Sequence, residues 1–437
     1  MERARRKETL AALNMNKEEN NEETHSSRVS AETQLPSQEL QGDVSRHHIT
    51  VGRRSFIRGL GIVGATLLPA SAFLMTKGKT QETASSGRLT KGDADLLRFA
   101  AWAEIVESDL WTQYNELGGA TKPNDGPLNV GNPPYKLALQ NLDSDMPQYI
   151  TDNNDDELSH AAFLNAYLNS HGAEPVNLDR FRHLLGSTAT GVDKTKIGKR
   201  LTNLLNLNVD LSWYTRYRSE ENPDLGAIFK GPINILNEPA IPKNDTDTPP
   251  TTVVPSPSIP AGSPAQRIQA IANTAGFHFA FIEQGGTSLY PTLALKATSD
   301  EVLRILISIG GVEIDHFSLW HDKAGNAVSQ PLAGVIDPEN PNGATFPDLN
   351  DPATLARLHL QLELTQTNKI LPEPCDFLFQ EALPPCSVIR PTSTALGGAV
   401  ATVNSFAADG LFDGQPDSFF DFAMQLATAA DNARRQF

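Results

Sequence analysis

The chain has 437 residues, enough for one large or two to three average domains, and its 39% hydrophobic and 20% charged residues are an ordinary balance for a globular protein. A formal net charge of -16, with no basic stripe of the kind phosphate binding needs, excludes a nucleic-acid partner. The only cysteines, Cys375 and Cys386, are too few for a thiolate zinc site or an iron–sulfur cluster built from one chain.

Residues 1–52 are polar, charged and poor in aromatics, and are expected to be disordered because they cannot bury enough apolar surface to offset ordering. Gly52-Arg53-Arg54-Ser55-Phe56-Ile57-Arg58 then leads into an uncharged apolar stretch from Gly59 to Met75, followed by Lys77-Gly78-Lys79. Residues 53–75 resemble a twin-arginine signal, with Ala70-Ser71-Ala72 as the cleavage pattern. That resemblance implies export of an already folded chain to the periplasm or beyond. The apolar run is short for a bilayer, so no membrane span is expected after cleavage. In an oxidising compartment a disulfide between Cys375 and Cys386 is expected.

From Lys91 the pattern is helical. The spacing predicts a first helix over Lys91 to Leu117, with Leu97, Ala100, Ala101, Glu104, Ser108 and Trp111 on one face and Gly118-Gly119 at its end. A second runs from about Asp155 to Ser170, carrying Glu157, His160, Ala161, Leu164 and Leu168 together. A long connection, 172–262, holds a predicted helical piece near Lys194 to Leu207 and a Pro/Thr/Ser-rich stretch from Glu238 to Pro264. The third helix is expected to start with Ser263 as cap and Pro264 in its first turn, and to break at Gly285-Gly286 before Tyr290-Pro291. The fourth begins at Thr298, which forms a capping-box pattern with Glu301, and reaches about Asp322 with Val302, Ile305, Ile309, Glu313, His316 and Trp320 on one face. An amphipathic piece at Pro352 to Gln366, the cysteine loop and a last helix at Ser418 to Arg435 complete the chain.

Two Glu-x-x-His segments, Glu157 to His160 and Glu313 to His316, lie on the apolar sides of separate helices. Residues three apart on a helix point the same way, so each Glu and His can bind one metal pair. Glu104 and Glu283 sit on the other two helices among Ala, Leu, Ile and Phe, where an unpaired carboxylate is costly to bury. Glu107, with Tyr114, offers a second register for the first-helix ligand.

The order Glu, Glu-x-x-His, Glu, Glu-x-x-His resembles the ferritin-like superfamily, whose dinuclear members draw ligands from four helices in this way. Trp111 and Tyr290, seven residues after Glu104 and Glu283, agree with it. The resemblance implies an all-α fold: a ferritin-like four-helix bundle over 90–325, with a crossover insertion at 172–262 and a C-terminal extension at 326–437 packed on it. It further implies two iron ions, or manganese, held by Glu104, Glu157, His160, Glu283, Glu313 and His316, a hard-to-borderline donor set. The implied activity is oxidoreductase or ferroxidase-like chemistry on oxygen or peroxide. A manganese catalase-like enzyme, or a non-catalytic envelope or stress protein on the same scaffold, are the alternatives, and self-association is compatible with all three. Asp109, Asp315 and Tyr167 are candidate acceptors for the outer histidine nitrogens, and His278 reads as a core histidine.

Overall fold

A computed structural model of the chain describes residues 88–120, 131–210, 234–248, 264–326, 333–344, 346, 353, 384 and 398–437. The expectations for 1–52, the signal at 53–75, the Ser263 cap, the helix at Pro352 to Gln366 and the Cys375–Cys386 bridge lie outside these residues. Among the described residues no helix is long and apolar enough to cross a membrane.

Thr90 caps helix α1, Lys91–Gly118, by accepting the Asp93 amide at 3.0 Å. Asp93 in turn accepts the amides of Thr298 and Ser299 at 2.8 and 3.1 Å, tying this end to the start of another helix. A short α2, Pro133–Gln140, follows. Helix α3 spans Met146–Ser170 and so starts well before the expected Asp155. Its polar first half reads as a loop, yet Thr151, Asn153 and Asn154 are buried. Thr151 donates to Asn115 of α1 at 2.8 Å, and Thr112 of α1 donates to Asn154 at 3.2 Å, so the polar residues are satisfied inside the packing.

Helix α4 is continuous from Pro264 to Ala294, against the break expected at Gly285-Gly286, and contains Pro291 in its last turn. The glycines provide space rather than a stop. A Cβ at Gly286 would stand 2.3 Å from Glu313 Oε2. Helix α5, Asp300–Trp320, is capped by Ser299 and not Thr298: the Ser299 hydroxyl accepts the amides of Glu301 and Val302, while the Thr298 amide is already held by Asp93. A π-helical turn at His321–Asn326 ends it.

The pairings fix the helix directions. Ser108 meets Glu157, Thr112 meets Asn154 and Asn115 meets Thr151, so α1 and α3 are antiparallel. The contacts of Trp111 with Glu283 and of Tyr290 with Glu104 make α1 and α4 antiparallel as well. Consecutive helices α3 and α4 are therefore parallel, and the chain between them must travel back along a 25-residue helix, roughly 37 Å. That requirement accounts for a long crossover.

The crossover is not helical at Lys194 to Leu207. Asp193 accepts the Thr195 amide at 2.9 Å in a local turn, Gly198 has φ +74°, and Asp109 of α1 captures the Leu201 and Thr202 amides at 2.9 and 3.0 Å. The same carboxylate meets Arg182 at 2.6 Å. Beyond it, β1, Leu207–Asp210, pairs antiparallel with β2, Asn234–Glu238. Helix α6, Ala399–Ala408, precedes α7, Asp417–Asn432, which lies on α1. Phe412 and Phe419 pack against Trp102, with ring centroids 5.9 and 6.2 Å away. Phe99 and Phe277 are also fully buried, each stabilising the fold by about 1.5–3 kcal/mol.

Candidate metal centre

The two Glu-x-x-His segments face one another across the space between the α1/α3 and α4/α5 pairs. Helical spacing puts Glu157 and His160 on the inner side of α3, and Glu313 and His316 on that of α5. Glu104 from α1 and Glu283 from α4 complete the ring, and all six side chains are buried.

The six form two overlapping groups. Glu104, Glu157, His160 and Glu313 make one, and Glu157, Glu283, Glu313 and His316 the other, with the potential ligand atoms of each within 4.8 Å of one another. Glu157 and Glu313 belong to both. His160 Nδ1 lies 3.3 Å from Glu104 Oε2 and from Glu157 Oε2, and 3.5 Å from Glu313 Oε1. His316 Nδ1 lies 3.2 Å from Glu157 Oε1 and 3.3 Å from Glu283 Oε2. Of the two first-helix registers, the structure puts Glu104 in a group and leaves Glu107, also buried, outside both.

A surrounding layer holds these groups. Trp111 Nε1 donates to Glu283 Oε1 at 3.0 Å, and the Tyr290 hydroxyl donates to Glu104 Oε1, so each aromatic serves the glutamate of the opposite helix. Asn153 donates to both Glu157 and Glu283, at 2.9 and 3.1 Å, and is itself oriented by Trp320 Nε1 at 2.7 Å. His316 Nε2 faces Asp156 Oδ2 at 3.2 Å. The acceptors expected from the sequence serve elsewhere: Asp109 pins the crossover, Asp315 is exposed, and Tyr167 stacks on His171. Asn153 and Trp320 each lie four residues from a site residue on its own helix, a spacing that could have singled them out.

The electrostatics follow from five buried carboxyls lying close together. Burial, then the charge of Glu157, raises Glu104 to about 8. Glu313 is raised well above the usual range by burial and by Glu157 and Glu104, and Glu283 and Glu107 are also raised, burial leading in both. Glu157 goes the other way: burial opposes its charge, but hydrogen bonds with His160 and His316 hold it low. Burial works against a charged His160, yet Glu104 and Glu157 raise it to about 10. Without metal, the centre therefore balances its charge with protons.

The donors fit a pair of cations. Glu104 Oε2 and both Glu313 oxygens are buried and accept no hydrogen bond among the described residues, although such oxygens are normally satisfied. Both histidines turn Nδ1 toward the carboxylates, and the donors on the outer oxygens of Glu283 and Glu104 leave their inner oxygens free to ligate. These buried clusters are compatible with a dinuclear metal site.

A family described as the ferritin-like domain matches residues 92–326. No curated protein and no solved structure matches the chain.

Proposed function

This chain belongs to the ferritin-like domain family, and from that premise we propose that Glu104, Glu157, His160, Glu283, Glu313 and His316 hold two iron ions for oxidoreductase or ferroxidase-like chemistry on oxygen or peroxide. The observation that carries the reading is that Glu157 and Glu313 belong to both groups, so that each could serve two cations held there. Four ligating carboxylates balance two divalent ions, and the carboxylate and imidazole donors suit iron or manganese. Bound iron would supply the electrons for reducing oxygen or peroxide.

The protein's own part is to prepare the cage. Asn153 and Trp111 fix Glu283, Tyr290 fixes Glu104, and Asp156 orients His316 so that Nδ1 points inward. The protons held by Glu104, Glu313 and the histidines leave as cations enter. Arg53-Arg54 and the apolar segment behind them support export of the folded, loaded chain.

The test is elemental analysis of the purified protein beside the Glu157→Ala/Glu313→Ala variant. Two iron ions per chain, absent from the variant, are expected. Two manganese ions with oxygen release from peroxide would move the reading to a catalase-like enzyme, and no metal in either protein would refute the centre.

A further inference from the structure

His278 lies outside both ligand groups, yet it is fully buried between two polar partners. Its Nδ1 is 2.7 Å from the Tyr114 hydroxyl, and its Nε2 is 3.0 Å from Asp409 Oδ2. Tyr114 and Asp409 are buried as well. Tyr114 lies one helical turn beyond Trp111, with ring centroids 5.7 Å apart, and Trp111 donates to the ligand Glu283. A continuous chain thus runs from the metal centre through Trp111 to Tyr114, His278 and Asp409.

Two other buried tyrosines show what sets Tyr114 apart. Tyr135 donates to the Ala240 carbonyl at 2.7 Å, an acceptor that cannot take a proton, and Tyr290 donates to the ligand Glu104. Tyr114 instead faces an imidazole backed by a carboxylate. Losing an electron makes a phenol strongly acidic, so a buried tyrosine can be oxidised only where a base receives its proton. Burial also keeps the Tyr114 phenol protonated, so electron and proton must leave together.

We propose that Tyr114 is a redox-active residue, oxidised by one electron through Trp111 while its phenolic proton passes to His278 Nδ1 and Asp409 holds the resulting imidazolium. The proposal rests on the two-metal reading, because peroxide acting at the loaded centre is the oxidant. Reduction of one peroxide to two waters takes two electrons and two protons. Tyr114 supplies one electron and a bound metal ion would supply the other, ending one oxidation level higher, while the Tyr114 proton stays on His278 and the two protons for water come from solvent. The products are a neutral tyrosyl radical and a protonated His278 paired with Asp409. The base is completed from outside the matched domain, since Asp409 caps the end of α6.

The experiment mixes the iron-loaded full chain with hydrogen peroxide, freezes it and records electron paramagnetic resonance, with iron per chain measured on the same samples. The expected result is a radical whose hyperfine pattern changes when the tyrosines are deuterated, and which Tyr114→Phe abolishes while keeping its iron. His278→Gln, which can accept a hydrogen bond but not a proton, should form the radical about a hundredfold more slowly. An unchanged signal in Tyr114→Phe, or oxidised iron with no tyrosine signal in the unaltered chain, would overturn the relay and leave the metal centre standing. A chain that takes up no iron would overturn both.

Discussion

Replacing Gly286 by alanine tests whether Glu313 is a shared ligand. The added Cβ would stand 2.3 Å from Glu313 Oε2, 2.9 Å from its Cδ and 3.1 Å from its Cγ. Ordinary contact needs about 3.5 Å, so the carboxylate must retreat by about 1 Å. Because Glu313 belongs to both groups, that shift weakens both metal positions at once. Effects on folding nearly offset one another: alanine gains about 1 kcal/mol of helix propensity over glycine, and crowding costs about 1–3 kcal/mol. The metal-free variant should therefore lose at most about 2 kcal/mol, while metal affinity falls about 10- to 100-fold. The assay pairs chelator-competition titration with thermal denaturation, and Gly311→Ala is the control. Nothing lies within 4 Å of a Cβ at Gly311, so that variant should gain about 1 kcal/mol and bind metal normally. Unaltered metal affinity in Gly286→Ala would refute the role given to Glu313.

Asp156→Asn should lower metal affinity about 10- to 100-fold, since it weakens the acceptor on His316 Nε2; its side chain is 53% exposed, so the denaturation midpoint should barely move. Asp109→Ala should destabilise the chain by about 3 kcal/mol in urea denaturation without loss of metal, because it frees the Leu201 and Thr202 amides and Arg182, none of which touches a candidate ligand side chain in these contacts. The metal-free protein should become less stable as pH rises. Folded Glu104 keeps its proton to about 8 against an ordinary 4.5, so the folded state binds the extra proton between those values and loses stability across that window. His160, raised from 6.5 to about 10, adds stability that is complete below 6.5 and is lost as pH climbs through 10. Glu157 acts in the opposite sense, its contribution being lost only in acid below 4.5. Thermal midpoints measured between pH 5 and 9 with and without metal check this, and a flat profile in the metal-free protein would contradict it.

The six residues that the fold gathers into two buried groups were legible because the rule is local: residues three apart share a helix face, and a carboxylate among alanines and leucines asks for a partner. Contacts that orient the ligands depend on which helices become neighbours. Trp111 and Tyr290 stand out by their spacing from Glu104 and Glu283, but their crossed service to each other's glutamate appears only once α1 and α4 lie antiparallel. The polar start of α3 conceals Asn153 and Asp156, because a run of Asn and Asp has the composition of a loop and becomes a buried network only against α1 and α5. Gly285-Gly286 reads as punctuation when the ligand it accommodates, on another helix, is out of view. His278 and Asp409 are 131 residues apart, and no local pattern joins them.

The crossed aromatics also break the likeness of the two half-sites. The glutamate of one half accepts from an indole nitrogen, which can only donate, and that of the other accepts from a phenol, whose oxygen can also accept a hydrogen bond. Two chemically identical ions would then sit in unlike ligand fields, with different affinities and potentials. Filling should be sequential, oxidation should begin at one ion rather than at either, and a mixed pair of metals should adopt one preferred order in the cage.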